Sequence, residues 1–528
     1  MRTVNLLPVL LVLPGVIAAQ SAHPGSLARW VDPWSPLAPR ADLAASLPNA
    51  TNASIPFLGE SPPFGVFWTV GNPAGLGGEI TEGRSDYSLT THRESGALRR
   101  PLDPSSAFSW QAEGSGWAVP SKGLALLGRA TMERVSAEGS APDVLQPYSS
   151  SPFVTLDTSA SDLERTRARV EGVVGLSRGA WSGGLAVAYD GVNQQSVESG
   201  LVRRVRQSTT GITLGAQRQV GFVVLGPYVR WRGRAETTSL FERDAEGIAV
   251  ELETLTRARI LDILTTYYRR STEQVVTGGW SLAATNGSSK WLLYGERSVN
   301  RQALTSQQTN TPASDIWEAR EWSGGIGYRV SLDSMSQALF LLRYAGLAGE
   351  GDLARDSVGS IVGSNESTYS AVVDVRRSSI GSTWSGALTT QMALERRDHQ
   401  DLTVPITATI TGLTSSAALQ VGKRMGRLFA HTLVAVAYYS STGAFPDPSS
   451  FTTSYRRYVA SQYDLLGRPM LPLSVSVGAR WHSGRSSWLW SRIGLDAVSA
   501  SRGAAAFAPV GSRHVVSAAA GITSLTVR

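Results

Sequence analysis

Residues 165–176 read RTRARVEGVVGL, and two kinds of side chain alternate along this stretch. Charged residues hold every second position: Arg165, Arg167, Arg169 and Glu171. Small, hydroxylated or apolar residues hold the positions between and after them: Thr166, Ala168, Val170, Gly172, Val174 and Leu176. A period of two places successive side chains on opposite faces, which predicts a β-strand with one polar and one apolar face.

The same alternation returns along the rest of the chain. It is clear in three further stretches: Trp322–Val330, Tyr369–Arg376 and Leu473–His482. The alternating segments run for about 10–15 residues, against the ~5–6 residues that are usual for strands of soluble proteins. A tilted strand that spans a membrane needs about 9–11 residues, and longer strands extend beyond it. The pattern therefore favours membrane-spanning strands.

The connections between these strands alternate in length. Short turns are predicted at Gly179-Ala180, Val220-Gly221, Asn286-Gly287, Asp333-Ser334, Ser379-Ile380, Met425-Gly426 and Gly484-Arg485. Long connections are predicted at Gly191–Arg206, Ala235–Thr272, Gln302–Ile316, Gly349–Glu366, Asp398–Pro405, Thr442–Leu471 and Ser501–Ser512. Short turns at one end and long loops at the other are typical of an up-and-down transmembrane barrel.

The strand count predicts an all-β, antiparallel transmembrane barrel of eighteen strands, with sixteen as the alternative. The seven short turns join fourteen strands between Arg165 and Ala500, and further strands are predicted at Asp86–Arg93, Ala107–Glu113, Pro120–Val135 and Ser512–Val527. Residues 136–164 are predicted to form a loop. The stretch Ile248–Arg270 fits either a hairpin within a loop or an elongated strand above the membrane. Single-chain bacterial barrels have even strand numbers, so both totals are allowed.

Aromatic residues recur next to the short turns and near the far ends of strands. The residues assigned to these two belts are Trp181, Trp291, Trp384, Trp488, Tyr438 and Tyr439. Amphipathic aromatic rings collect at both membrane surfaces, where one part of the ring is apolar and the other is wet. The placement supports a membrane barrel over a soluble sheet.

The chain divides into three parts. Residues 1–22 fit a secretory signal peptide, because Met1-Arg2 precedes an apolar run that ends in small residues. Residues 23–83 are rich in proline and are predicted to be irregular, as a plug inside the barrel, a periplasmic extension or a plain linker. Residues 84–528 form the predicted barrel.

Composition excludes several classes of function. Among 528 residues there is no cysteine, which rules out disulfides, thiolate metal sites and cysteine nucleophiles. Charged residues make up 17%, and the net charge of +7 is too small and too dispersed to predict nucleic-acid binding. After the N-terminus no apolar run approaches the ~18 residues of a membrane helix. Export without cysteine predicts a protein of the bacterial envelope, and the barrel pattern places it in the outer membrane.

A short motif just before the first strand carries a family resemblance. Asn72, Pro73, Ala74 and Gly75 resemble an Asn-Pro-Ala-Gly segment of the long-chain fatty-acid transporters of the outer membrane. A closer resemblance is to an uncharacterised family of bacterial outer-membrane barrels. It rests on Asn72-Pro73-Ala74 together with three longer stretches: Ser106–Glu133, Tyr148–Thr158 and Glu171–Tyr189.

The resemblance implies location and fold, but no activity or ligand. It also implies the lipid of the outer membrane and the barrel assembly machinery as partners. The sequence departs from the pattern at its end, Leu525-Thr526-Val527-Arg528, because such barrels often end in an aromatic residue. The remaining strands also do not fit the fourteen-stranded fatty-acid transporter.

Arginine supplies nearly all of the positive charge, since lysine occurs only at Lys122, Lys290 and Lys423. The residues predicted to line the lumen or its rim are Arg165, Arg167, Arg169, Glu171, Arg230, Arg232 and Arg234. A charge on the lipid face costs roughly 2–4 kcal/mol at mid-membrane, which assigns these side chains to the interior. They could favour anions in a pore. The preferred interpretation is a set of arginine–carboxylate pairs that stiffens the wall.

Candidates for catalysis or metal binding are weak. Gly175-Leu176-Ser177-Arg178-Gly179 matches the Gly-x-Ser-x-Gly pattern of hydrolases, but that chemistry needs a strand-to-helix turn and a histidine nearby. Asp398-His399-Gln400-Asp401 contains cation ligands, yet neighbours along a strand point to opposite sides. We therefore predict no enzyme activity, no cofactor and no metal.

Three functions fit these observations. The favoured one is a pore or transporter for small solutes. The alternative is a structural or partner-binding barrel whose long extracellular loops contact a surface or periplasmic protein. A hydrolase embedded in the barrel is the least favoured.

Overall fold

In the computed structural model, the described residues begin at 71 and end at 526. They comprise residues 71–79, 83–97, 105–140, 154–157, 161–198, 201–242, 249–252, 258–261, 266–306, 313–334, 336–352, 360–377, 383–401, 406–444, 469–483, 486–500 and 511–526. The predicted signal peptide and most of the proline-rich stretch lie outside these residues.

Eighteen strands form one barrel. They are β1 (Gly83–Gly96), β2 (Ser106–Ser121), β3 (Leu124–Ser140), β5 (Ser161–Arg178), β6 (Trp181–Glu198), β7 (Leu201–Val220), β8 (Val223–Glu242), β11 (Thr266–Asn286), β12 (Ser289–Ser306), β13 (Ala313–Ser331), β14 (Ser336–Asp352), β15 (Ser360–Arg377), β16 (Trp384–Asp401), β17 (Ile406–Met425), β18 (Leu428–Ala444), β19 (Met470–His482), β20 (Ser487–Ala500) and β21 (Gly511–Thr526). Three short strands, β4 (Val154–Asp157), β9 (Ala249–Leu252) and β10 (Ala258–Leu261), form a separate sheet.

Every barrel strand pairs antiparallel with its neighbours, and β1 pairs with β21 to close the ring. Closure leaves no free sheet edge, which is what a β-structure needs in lipid, where unpaired backbone groups cannot bond to water. The predicted all-β, antiparallel barrel of eighteen strands is confirmed.

The strands are longer than the sequence pattern predicts. They run from 13 residues in β19 to 21 residues in β11, and the long connection predicted at Gly191–Arg206 is wrong because β6 and β7 occupy most of it. The loop predicted at residues 136–164 starts too early, since β3 continues to Ser140. A further short turn, Lys122-Gly123, joins β2 to β3. Polar residues on both faces hid these extensions, because period-two contrast disappears there.

The stretch Ile248–Arg270 combines both predicted alternatives. Strands β9 and β10 pair as a hairpin within it, and β11 begins at Thr266 and pairs with β8. Strand β9 also pairs with β4, which lies in the connection between β3 and β5. Two connections from the long-loop end are thus joined by one small sheet.

The two faces of the wall differ as the alternation predicts. Val170, Val174 and Leu176 point outward, with 56%, 38% and 57% of their surface exposed. Glu171 and Val173, which lie between them, are buried on the inner face. Neighbouring strands repeat this arrangement, so apolar side chains form the exterior of the barrel and polar side chains form much of its interior.

Exposed aromatic side chains form two belts on the exterior. The belt at the short-turn end includes Trp181, Phe222, Trp291, Trp384 and Trp481, and the upper belt includes Tyr189, Trp231, Tyr369 and Tyr438. The belts are about nine residues apart along a strand, which at ~3.4 Å per residue and ~40° tilt is roughly 23 Å. This separation fits an apolar band of about 25 Å.

Two of the predicted belt residues face inward instead. Trp488 is 7% exposed, donates from Nε1 to His482 Nε2 at 2.6 Å and lies 4.1 Å from the Arg480 guanidinium carbon. Tyr439 is 1% exposed and contacts Glu395. Their position near a strand end predicts their height along the barrel, but it does not predict whether the side chain points inward or outward.

Helical structure among the described residues is limited to a 3-10 turn at Pro73–Gly75 and one short helix, α1 (Leu76–Glu79). Within these residues, no helix is long and apolar enough to cross a membrane. The three lysines, Lys122, Lys290 and Lys423, are exposed and all lie beside short turns.

Buried polar contacts hold the closing seam between β1 and β21. Arg513 Nε donates to Glu94 at 2.6 Å, and the arginine side chain is 1% exposed. Thr523 Oγ1 donates to Asp86 Oδ1 at 2.6 Å. The seam joins residues more than four hundred positions apart, so these contacts link the two ends of the strand ladder.

Replacing Arg513 with methionine should lower the free energy of unfolding by about 2–4 kcal/mol, because it strands a carboxylate beside the seam. The exposed pair of Arg301 and Glu318, with side chains 65% and 64% exposed, is the matched control. Its removal should cost about 0–1 kcal/mol. Urea unfolding in lipid vesicles, followed by tryptophan fluorescence, measures both. Equal effects would show that the seam pair has no special role.

Candidate functional site on the inner barrel wall

Four glycines leave one area of the inner wall without side chains. Gly175 on β5 is the register partner of Gly184 on β6, which in turn is the register partner of Gly215 on β7. Gly226 lies on the inner face of the next strand, β8, beside the buried Tyr228. We call this area the glycine seat. Its residues come from four strands, and the barrel register alone brings them together.

A segment that precedes the first strand lies on the glycine seat. It consists of residues 71–79 and is called the wall segment below. Asn72, Ala74 and Leu76 are each 0% exposed. Asn72 caps the 3-10 turn, since its Oδ1 accepts a hydrogen bond from the Ala74 amide at 3.1 Å and its carbonyl accepts one from the Gly75 amide at 3.1 Å.

The wall segment approaches the seat so closely that side chains do not fit. A methyl group at Gly184 would lie 2.3 Å from the carbonyl carbon of Pro73, and one at Gly215 would lie 1.9 Å from Asn72 Oδ1. A methyl group at Gly175 would lie 2.9 Å from the Gly77 nitrogen. Glycine is therefore required at Gly175 and Gly184 by contact between two backbones, and at Gly215 by the side chain of Asn72.

An apolar contact holds the C-terminal part of the wall segment. Leu76 packs in a buried cluster with Ala125 and Leu127 of β3 and Val173 of β5. Complete burial of a leucine side chain contributes roughly 1.5–3 kcal/mol. The direct hydrogen bond to the wall is weak, because Asn72 Nδ2 lies 3.5 Å from the Pro227 carbonyl oxygen. Residues 71–78 carry no charged side chain.

The four motif residues, Asn72, Pro73, Ala74 and Gly75, are thus all buried in this contact. The motif identified one side of the site. The glycines on the other side were missed, because each one looks like an ordinary glycine in its own strand. The signal that was present is an inward-facing glycine on each of four consecutive strands.

Beside the seat, the first group of predicted charges lies on the inner face of β5. Arg165 pairs with Glu133 at 3.1 Å and Arg169 pairs with Glu171 at 3.3 Å. Arg167 makes a bidentate contact with Asp190, with Nε 2.9 Å from Oδ1.

The second group lies on the inner face of β8. Arg230 lies 3.9 Å from Glu296, and Arg232 lies 3.3 Å from Glu273. Arg234 contacts Glu236 at 2.7 Å and also Glu273 at 3.5 Å. Paired guanidinium groups present little net charge to the lumen, so this geometry supports the interpretation as a stiffening ladder. The anion preference stays a prediction.

The structure does not support the candidate hydrolase motif at 175–179 or the candidate cation site at 398–401. Ser177 Oγ lies 3.1 Å from Ser182 Oγ, and β5 enters a hairpin there rather than a helix. Asp398 contacts Arg396 at 3.0 Å and Thr409 at 2.8 Å. Among the described residues, no group of three His, Asp or Glu side chains could hold a metal ion.

The fold and its surfaces define the class of protein. A closed antiparallel barrel of eighteen long strands, with an apolar exterior between two aromatic belts and a polar interior, is a bacterial outer-membrane β-barrel. In such barrels short turns face the periplasm and long loops face the outside. The glycine seat and the wall segment therefore lie in the periplasmic half.

No family model matches the sequence, and no curated protein matches it. Several solved structures are similar to the chain at low identity. The outer-membrane transporter YddB from Escherichia coli is 8% identical, with 84% of this chain and 81% of that chain covered and a TM-score of 0.38. BauA, the ferric preacinetobactin receptor from Acinetobacter baumannii, is 8% identical, with 83% of this chain and 80% of that chain covered and a TM-score of 0.39.

The copper transporter OprC is 7% identical, with 84% of this chain and 80% of that chain covered and a TM-score of 0.40. Similarities at this level carry no information about solute or mechanism. They also do not support the resemblance to the long-chain fatty-acid transporter. The assignment to the outer membrane rests on the barrel itself.

Proposed function

We propose that the protein is an outer-membrane transporter for small solutes, in which the wall segment is a releasable part of the barrier inside the barrel. The observation that carries this proposal is the glycine seat. Four glycines on adjacent strands accommodate a segment from outside the strand ladder, and a methyl group at Gly184 or Gly215 would collide with it. In a barrel with a purely structural role, side chains at these positions would stiffen the wall, so four glycines there are better explained by the segment that they accommodate.

The strength of the contact is suited to release. The wall segment is held by the burial of Leu76 and of the small motif residues 72–75 and by one long hydrogen bond from Asn72, and residues 71–78 carry no charged side chain. Gln217 Nε2, on the wall beside Asn72 and Gly226, is buried without a hydrogen-bond partner among the described residues. An unpaired buried amide costs about 1–3 kcal/mol, which offsets much of the gain from the leucine.

A disulfide lock tests the proposal. A Cβ atom at residue 77 would lie 3.5 Å from Ser177 Cβ, within the range for a disulfide, and the chain has no other cysteine. The variant with Gly77→Cys and Ser177→Cys should be closed in planar bilayers when oxidised, and dithiothreitol should restore the openings of the wild type. Single-channel conductance is measured before and after reduction.

The matched control has Ser177→Cys and Ser182→Cys. These residues are register partners within the wall, and their disulfide leaves the wall segment untethered. Its conductance should not respond to oxidation. If the locked variant conducts like the control, the wall segment does not close the barrel.

The second candidate function is a partner-binding barrel. The observation in its favour is the small sheet of β4, β9 and β10, which joins two connections at the extracellular end. Absence of conductance in the wild type, the reduced lock and the control would favour this function over transport.

A further inference from the structure

Six arginines cluster on the outside of the barrel toward its extracellular end. They lie on strands β7, β11, β12 and β13, and all are exposed: Arg204, Arg206, Arg270, Arg297, Arg301 and Arg320. We call them the outer arginine patch. They are separate from the arginines of the inner wall, because they occupy the opposite face of the strands.

Alternation along each strand fixes their outward direction. Arg206 shares a face with Ile212 and Leu214, which are 40% and 53% exposed on the apolar exterior. Arg301 shares a face with Val299, which is 53% exposed. A strand alternates its side chains without interruption, so these arginines point toward the surroundings of the barrel.

The patch is continuous across neighbouring strands. Arg206 on β7 is the register partner of Thr237 on β8, and Thr237 is the register partner of Arg270 on β11. On the other side, Arg320 on β13 is the register partner of Val299 on β12, two residues from Arg301. Five adjacent strands therefore present one surface.

The outer arginine patch has a strong excess of positive charge. Glu318 is the acidic residue among its outward-facing described side chains, and it lies 3.3 Å from Arg301. Four other strands, β18, β19, β20 and β21, have no arginine or lysine among their described residues on the exterior of the barrel. Six exposed arginines thus lie close together on this side, whereas Arg93, Arg134 and Arg396 lie singly on other strands.

The patch begins near the level of the upper aromatic belt and extends from there toward the extracellular end. Trp231 belongs to the upper aromatic belt, and its register row continues through Val276 and Val299 to Arg320. Arg301 lies two residues beyond this row, and Arg270 lies six residues beyond Val276. Charges deep in the lipid band are costly, whereas positions from the aromatic belt outward can place guanidinium groups beside headgroups.

We propose that the outer arginine patch binds the phosphates of lipopolysaccharide in the outer leaflet. Arginine presents a planar fork of donors that binds phosphate in a bidentate manner, and it keeps its charge at every physiological pH. Basic clusters at the membrane surface recognise anionic lipid headgroups by this chemistry. Thr237 and Thr272, which face outward between the arginines, supply hydroxyl donors to the same groups.

The experiment measures lipid binding by the full-length protein in nanodiscs, with diphosphoryl lipid A and chemically dephosphorylated lipid A as probes. The test variant carries Arg206→Gln, Arg270→Gln and Arg301→Gln. The wild type should bind diphosphoryl lipid A roughly tenfold or more tightly than the test variant, and the dephosphorylated probe should bind both equally. A single Arg270→Gln variant should show an intermediate loss.

The matched control carries Arg93→Gln, Arg134→Gln and Arg396→Gln, which remove three exposed arginines outside the patch. It should bind diphosphoryl lipid A like the wild type. Equal binding by the wild type and the test variant would overturn the proposal, as would an equal loss in the control. Displacement of the lipid by millimolar inorganic phosphate would also overturn it, since the site would then select free phosphate.

Discussion

Replacing Gly184 with alanine should release the wall segment from the glycine seat. The added methyl group would lie 2.3 Å from the carbonyl carbon of Pro73 and 2.6 Å from the Ala74 nitrogen, both of them backbone atoms. A buried overlap of this kind costs about 1–3 kcal/mol, which shifts the bound population roughly 5- to 150-fold toward release. Channel openings should become more frequent by a similar factor.

Release is measured directly with a single cysteine at position 74. Ala74 is 0% exposed, so a water-soluble maleimide should label an Ala74→Cys variant slowly and should label it much faster once Gly184→Ala is added. Gly183 provides the matched control on the same strand, because a methyl group there would meet its nearest atom, the Gly215 carbonyl oxygen, at 3.9 Å. Labelling as fast with Gly183→Ala as with Gly184→Ala would show that the close contact does not hold the segment.

Replacing Val174 with arginine should impair assembly of the barrel. Val174 is 38% exposed on the apolar exterior, with Leu126 and Leu185 as its register partners on either side. An arginine facing lipid costs roughly 1–4 kcal/mol, depending on its depth. Less of the protein should therefore reach the heat-modifiable, fast-migrating form on unboiled gels.

Arg167→Gln is the comparison for this experiment. Arg167 lies on the opposite face of the same strand, where it contacts Asp190 and is 28% exposed. Its loss should leave the folded fraction nearly unchanged, because polar interior positions tolerate a neutral polar side chain. A larger assembly defect for Arg167→Gln than for Val174→Arg would mean that the two faces of β5 are assigned the wrong way round.

The faces and the topology could be predicted from the sequence because membrane burial imposes a strict rule. Lipid outside and polar groups inside force a period of two, and Val170, Val174 and Leu176 obey it. Alternating loop lengths then give the order of the hairpins. Beyond the lipid, both faces of a strand contact water, so the alternation of apolar and polar residues is no longer required. That is why the sequence pattern predicts a loop at the extended ends of β6 and β7.

The candidate site could be predicted only in part. The motif at residues 72–75 stands out as sequence, whereas the glycine seat exists only once β5 to β8 are in register. Similarly, Trp488 and Trp481 lie at the same end of the barrel, and only the strand phase places one inside and the other outside. Contacts between distant positions depend on register, which local patterns do not encode.

The positions of the lysines make the two ends of the protein chemically different. All three lie beside short turns, whereas the described residues toward the extracellular end offer guanidinium groups but no side-chain amine. Reagents that acylate amines should therefore modify side chains of the folded protein only from the periplasm. Cross-linkers of this type would capture periplasmic neighbours selectively, and intact cells should protect the barrel from them until the outer membrane is opened.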